Sequence, residues 1–262
     1  MDLSLRGRRA MVCGSTQGIG RACARELARQ GASITLVARN EKALTAVLTS
    51  LPTTDDQDHE IIVADFEKPG ELAWAVRDYA VGGIPVHILV NNTGGPPGGP
   101  LTAAGVDELQ RAFAMHVLCN QVLMQTVIPS MQAAGYGRII NIISTSVKQP
   151  IPGLGVSNTI RGAVANWAKT LAGELGPYGI TVNNVLPGAT ETARLQALIE
   201  KKAEQTGQTP DEVAEAMRQA IPARRFARPE EVAWAVAFLA SPAAAYINGV
   251  NLPVDGGRTQ CL

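Results

Sequence analysis

The residues of this chain best suited to chemistry fall into two groups. The first is Gly14-Ser15-Thr16-Gln17-Gly18-Ile19-Gly20, which lies between a short apolar run at 10–13 and a helical-period stretch at 19–30. In a strand-turn-helix context Gly14 allows a tight turn, Gly18 lets the backbone approach a pyrophosphate, and Gly20 lets the helix pack on the strand. The free N–H groups at the helix start then face the anion. The second group is Ser144, Ser157 and Arg161. Ser157 and Arg161 stand four apart on a predicted helix at 156–175, so both project from one face. Two further groups could handle a proton. His116 has an ordinary imidazole in the titrating range, and Lys148 follows Ser144 closely.

The elements that must position these groups alternate along the chain. Strands are predicted at 10–13, 33–38, 60–64, 86–91, 138–144, 180–186 and 250–254. Helices are predicted at 19–30, 41–51, 68–80, 106–134, 156–175 and 229–239. Apolar, β-branched runs separated by helices imply a parallel sheet covered on both faces. Right-handed crossovers then give an α/β, Rossmann-like doubly wound sheet in a single domain spanning 1–262. Two stretches break the rhythm. Gly94-Gly95-Pro96-Pro97-Gly98-Gly99-Pro100 must be a loop, placed at the carboxyl end of a strand. Residues 191–220 are polar and helical and read as a mobile lid or a helix pair beside the substrate. Lys201, Lys202, Glu204, Glu212 and Glu215 are expected on its solvated face.

Composition narrows the class. The 262 residues are 46% hydrophobic and 18% charged, enough apolar content for a large core. The 23 basic and 23 acidic residues cancel, which argues against nucleic acid or an anionic membrane as partner. No segment has the length of a membrane span, and the N-terminus lacks a secretory signal pattern. Cys13, Cys23, Cys119 and Cys261 show neither a disulfide framework nor metal-ligand spacing. The expectation is a soluble cytoplasmic protein with free thiols and no metal.

The second predicted strand ends Val37-Ala38-Arg39-Asn40. A carboxylate there would bind an adenosine ribose and repel a 2′-phosphate. Ala38 carries none, and Arg39 offers a charged fork suited to phosphate. The reading favours NADP(H) over NAD(H).

Several motifs follow in order along nearly the whole chain. They are Gly14-x3-Gly18-Ile19-Gly20, Asp65, Asn91-Asn92-Thr93-Gly94, Asn141-Ile142-Ile143-Ser144, Pro187-Gly188-x3-Thr192 and Asp255-Gly256-Gly257. Together they resemble the short-chain dehydrogenase/reductase family, and within it the 3-oxoacyl-[acyl-carrier-protein] reductase branch. The resemblance implies that Asp65 holds the adenine edge and that Asn91 with Gly94 lines the adenosine side. It implies that Pro187, Gly188 and Thr192 position the nicotinamide. It also implies a homotetramer packed through the helices that start near Val106 and Val156; Ala163, Val164, Trp167, Ala168 and Leu171 supply apolar content there. The substrate would be a small molecule or an acyl thioester.

The family's catalytic set is Asn, Ser, Tyr and Lys, and this chain departs from it. His116 stands at the asparagine position, Ser144 matches the serine, Ser157 replaces tyrosine and Arg161 replaces lysine. Cys13 and Thr93 are two smaller departures, from threonine and alanine, tolerable by packing. A serine hydroxyl is far less acidic than a phenol, and an arginine cannot pass a proton along as a lysine can. Arg161 can still hold the nicotinamide ribose. Two readings follow. In one the chain is an atypical NAD(P)-dependent oxidoreductase acting on a ketone, a 3-oxoacyl carbonyl or the matching alcohol. In the other it is a catalytically impaired nucleotide-binding protein serving as sensor or scaffold.

Overall fold

Seven parallel strands form one sheet in the order β3-β2-β1-β4-β5-β6-β7. The computed structural model describes residues 1–54 and 56–261. The strands are β1 (Arg9–Cys13), β2 (Ser33–Ala38), β3 (Glu60–Val63), β4 (Ile88–Asn91), β5 (Gly137–Ile142), β6 (Ile180–Pro187) and β7 (Asn251–Val254). The chain starts in the middle of the sheet, works outward to β3, then returns to the other side of β1. The strand order therefore reverses between β1 and β4, where ligands of doubly wound folds bind beyond the strands' carboxyl ends.

Helices cover both faces. On one lie α1 (Gly18–Arg29), α2 (Glu41–Leu48) and α9 (Pro229–Ala240), whose Leu27, Leu44 and Val236 pack on Ile34, Val90, Ile140 and Val185. On the other lie α3 (Pro69–Val81), α5 (Cys119–Ala134) and α6 (Gly155–Leu175), whose Leu72, Leu123 and Leu171 pack on Met11, Leu89, Ile139 and Val182. Successive residues of each strand thus feed opposite apolar layers, which explains the unbroken hydrophobic runs.

The predicted helix at 106–134 is one continuous helical path with a change of pitch. It runs as α4 (Val106–Phe113), a π-helical turn Ala114–Leu118, then α5. Such turns insert an extra residue into the ladder and re-aim the side chains on it. His116 sits in that turn. The predicted strand at 138–144 stops at Ile142, so Ser144 stands beyond β5 and caps the short turn Thr145–Val147. The segment 191–220 is a helix pair, α7 (Ala193–Thr206) and α8 (Pro210–Gln219), which close on each other through Leu195, Ile199 and Val213.

One polar device crosses the sheet. Asn91, Asn141, Asn184 and Asn251 stand side by side on β4, β5, β6 and β7. Each side-chain amide donates to the carbonyl of the next, at 2.8, 2.9 and 2.8 Å.

The expected interface residues on α6 divide between core and surface. Val164, Ala168 and Leu171 are buried in the apolar layers, and Trp167 donates to Gln121 Oε1 at 2.8 Å. Ala163 and Trp167 are only partly buried, and Gly162, Asn166, Lys169 and Thr170 of α6 are exposed beside them. Exposed apolar side chains on this side include Val106, Phe113 and Leu118, on α4 and the π turn, and Trp74 and Val81 on α3. Among the described residues no helix is long and apolar enough to cross a membrane.

Candidate active site

The glycine turn is dictated by backbone crowding. Gly14 has φ of 58°, and a Cβ there would collide with the Asn92 carbonyl oxygen. A Cβ on Gly20 would collide with the Gly14 carbonyl oxygen and approach Asn92 Nδ2 to 2.6 Å. Only glycine fits either place. Asn92 then ties the turn to β4 by donating from Nδ2 to the carbonyls of Cys13 and Gly14 at 3.2 and 3.3 Å. Opposite, Thr192 caps α7, accepting from Leu195 N–H, and brings its methyl to 3.1 Å from where a Gly18 Cβ would stand. Gln17 ends the turn as the N-cap of α1 without a side-chain capping bond, and Ile19 packs against the core beside α1.

These residues fit a dinucleotide. Ser15 is fully buried in the turn, and its Oγ has no hydrogen-bond partner among the described residues. The start of α1 directs free N–H groups at the same place. Arg39 follows β2 directly and is exposed; its contact with Glu67 Oε1, at 3.8 Å, leaves the fork free. Asp65 follows β3, and one of its carboxylate oxygens takes the Glu67 N–H at 3.0 Å. Pro187 closes β6, and Gly188 donates to the Val254 carbonyl at 2.9 Å. Gly94 is exposed at the head of the following loop. The side chain of Asn91 does not line this groove as expected. It is buried and spent on Asn141 across the sheet, and the groove-side contact belongs to Asn92.

The second half of the site lies beyond β4 and β5. Ser144 Oγ accepts the Ser146 N–H at 3.0 Å, which fixes the oxygen and leaves its own O–H free to donate. Ser157 is partly buried in the first turn of α6, where its backbone N–H has no acceptor inside the helix. One turn further, Arg161 is buried and donates from Nη1 to the carbonyl of Ile142, the last residue of β5, at 3.1 Å. Burial, with the nearby Arg194 charge second, pushes the Arg161 guanidinium down to about 10, so it stays a cation at neutral pH.

His116 is corrected as a titrating group. It is buried, and loss of water followed by the Arg161 charge pushes its imidazole down to about 3. Its surroundings thus favour the neutral imidazole at neutral pH. Its Nδ1 shares a 2.7 Å hydrogen bond with Thr93 Oγ1. Three departures from the family's residues, at 93, 116 and 161, therefore touch or face one another. Lys148 is only partly buried, beside the exposed Gln149 and Pro150.

The glycine-proline loop is strapped down on two sides. Gly99 exchanges backbone hydrogen bonds with Gly153 and Gly155 at 2.7 and 3.0 Å. From α7, Arg194 donates to the Pro96 carbonyl at 2.6 Å and Lys201 to the Gly98 carbonyl at 3.0 Å. Lys201 is thus a strap and not merely part of a solvated face. Arg194 was not singled out above, yet one signal marks it. A cation in the first turn of a helix opposes the helix dipole and needs another reason to be there.

The chain is similar to known proteins along nearly its whole length. A family model described as Enoyl-(Acyl carrier protein) reductase matches residues 14–259. The chain is 31% identical over 254 residues to the short-chain reductase protein NovJ of Streptomyces niveus, covering 95% of this chain and 93% of the relative. It is 32% identical over 263 residues to the 7alpha-hydroxysteroid dehydrogenase of Escherichia coli K12, covering 100% and 98%. The crystal structure of L-sorbose reductase from Gluconobacter frateurii, complexed with NADPH and L-sorbose, superposes with a TM-score of 0.92 at 30% identity, over all of both chains.

Proposed function

The chain belongs to the short-chain dehydrogenase/reductase family, and from that premise we propose that it is an atypical oxidoreductase reducing a ketone or 3-oxoacyl-type carbonyl, or oxidising the matching alcohol. NADP(H) is the preferred cofactor over NAD(H). The observation that supports the reading is the glycine turn after β1 together with Ser144 just beyond β5 and Arg161, one turn after Ser157 on α6, bonded to the carbonyl that ends β5. Gly14, Ser15, Gln17, Gly18, Ile19 and Gly20 hold the pyrophosphate, Arg39 the 2′-phosphate and Asp65 the adenine edge. Pro187, Gly188 and Thr192 orient the nicotinamide, which when bound supplies the hydride.

Ser144 donates its free O–H to the carbonyl oxygen. Ser157, partly buried in the first turn of α6, relays a proton from solvent water to the same oxygen. Arg161 does not exchange a proton at neutral pH; it anchors the nicotinamide ribose and steadies negative charge beside it. His116, uncharged, shapes the pocket through Thr93. The chain assembles as a homotetramer, or at least a dimer, through the helices that start near Val106 and Val156; a monomer mass by light scattering excludes this. It works in the cytoplasm on a small-molecule or acyl-thioester substrate.

The test is NADPH oxidation with a panel of ketones. Ser144→Ala and Ser157→Ala are each expected to lower the rate about a hundredfold without weakening NADPH binding. If no ketone is turned over although NADPH binds, the protein is a nucleotide-binding sensor or scaffold instead.

A further inference from the structure

Two guanidinium groups converge on Gly95. A Cβ built there would lie 3.8 Å from Nη2 of both Arg161 and Arg194, and 4.0 Å from Nε of Arg194. Glycine at 95 places no side-chain atom between the two forks. Each arginine is steadied by one carbonyl only, Ile142 for Arg161 and Pro96 for Arg194. Among the described residues no carboxylate lies within ion-pair distance of either. Arg161 is only 7% exposed. A buried cation that faces a second cation and no anion is unfavourable, because the low-dielectric interior strengthens the repulsion. The arrangement makes sense once a ligand brings the missing charge.

We propose that Arg161 and Arg194 together receive the carboxylate of an oxo-acid substrate, placed beside the carbonyl that Ser144 and Ser157 address. The inference rests on the carbonyl-reducing reading above. Planar forks suit a carboxylate, which can take two parallel N–H bonds from each. The position favours substrate over the cofactor's phosphates; with only Nη1 spent on Ile142, Arg161 has donors left for the nicotinamide ribose as well. Arg194 is turned toward Pro96 and Arg161 toward the end of β5, whereas the phosphates' place is the glycine turn on which Thr192 closes. The strap formed by residues 94–100 and α7 would then do two things at once, covering the substrate and presenting one of its two charged contacts.

The experiment uses the full chain saturated with NADPH. Pyruvate and acetoacetate are compared with their methyl esters by calorimetry, and KM and kcat are measured separately for each. The acids are expected to bind and the esters to bind at least about tenfold more weakly, the worth of a charge-assisted contact. Arg194→Gln should cost the acids about tenfold in affinity and in KM, leave the esters alone and leave NADPH affinity unchanged. Arg194→Lys, which keeps the charge without the fork, should fall between the two; it also serves if the glutamine variant does not fold. Equal binding of acid and ester by the wild type, or no binding of either acid at millimolar concentration, overturns the proposal. So does a loss of NADPH affinity in Arg194→Gln matching the loss for the acids, which would assign the pair to the cofactor's phosphates. Acids that bind through Arg194 without being reduced would uphold the carboxylate site while removing the carbonyl-reducing function.

Discussion

The two halves of the groove are built on different principles. Around Gly14 to Gly20 the contacts are backbone to backbone: a carbonyl of Asn92 against Gly14, a carbonyl of Gly14 against Gly20. No exchange of side chains can imitate that, so the glycines stand unchanged. Beyond β5 the work is done by side chains, and there the chain departs from its family at 93, 116, 157 and 161. Thr93, His116 and Arg161 are physically coupled to one another. Thr93 bonds His116, and the Arg161 charge acts on the His116 ring. One half of the groove is therefore fixed by backbone geometry, and the other by side chains that depend on one another.

That contrast can be broken most severely at Gly14. Gly14→Ala adds a Cβ at positive φ directly into the Asn92 carbonyl. NADPH affinity is expected to fall by about a hundredfold, or folding to fail outright, as seen by calorimetry and circular dichroism. Near-normal NADPH binding in this variant would show that the turn is held by something other than backbone contact.

A smaller effect sharpens the side-chain half. The unfolded chain protonates His116 at the ordinary value of 6.5, while the folded protein resists down to about 3. The folded state therefore binds fewer protons between these values. The stability contribution is complete above about pH 6.5 and is lost as the pH falls toward about 3. His116→Asn removes that dependence, and urea unfolding at a series of acid pH values should show a shallower decline, by ~1–3 kcal/mol over the window. An unchanged slope would mean that His116 is not held neutral by its surroundings.

The smallest effect is expected at Arg39, which is exposed and loosely shared with Glu67. Arg39→Asp should weaken NADPH binding by roughly five- to tenfold and improve NADH binding. Calorimetry showing unchanged or tighter NADPH binding would sink the 2′-phosphate assignment.

Much of this molecule was legible before any coordinates. Strand 33–38 and the parallel doubly wound order follow from apolar runs that alternate with helical periods, because sheet burial on both faces leaves a plain mark in sequence. Ser144, Ser157 and Arg161 were legible through ordered motifs. Three things were not. The π turn around His116 arises from one extra residue in a helix, which periodicity cannot separate from an ordinary one. The neutrality of His116 depends on burial and on Arg161, 45 positions away in the sequence. The partnership of Arg194 with the loop at 94–100 joins segments about a hundred residues apart, and only the fold brings them together.

The row of four asparagines crossing β4 to β7 has a consequence for how the sheet finds its alignment. Strand side chains alternate faces, so sliding any one strand by a single residue would carry its asparagine into the opposite apolar layer, among Val90, Ile140 and Val185. Aliphatic strands by themselves discriminate poorly between neighbouring alignments, since one valine replaces another. A slip at any of the three junctions would break at least one of the amide bonds in the row. The row thus works as a proofreading mark: the edge that carries the catalytic strand ends closes only when four strands agree on their position.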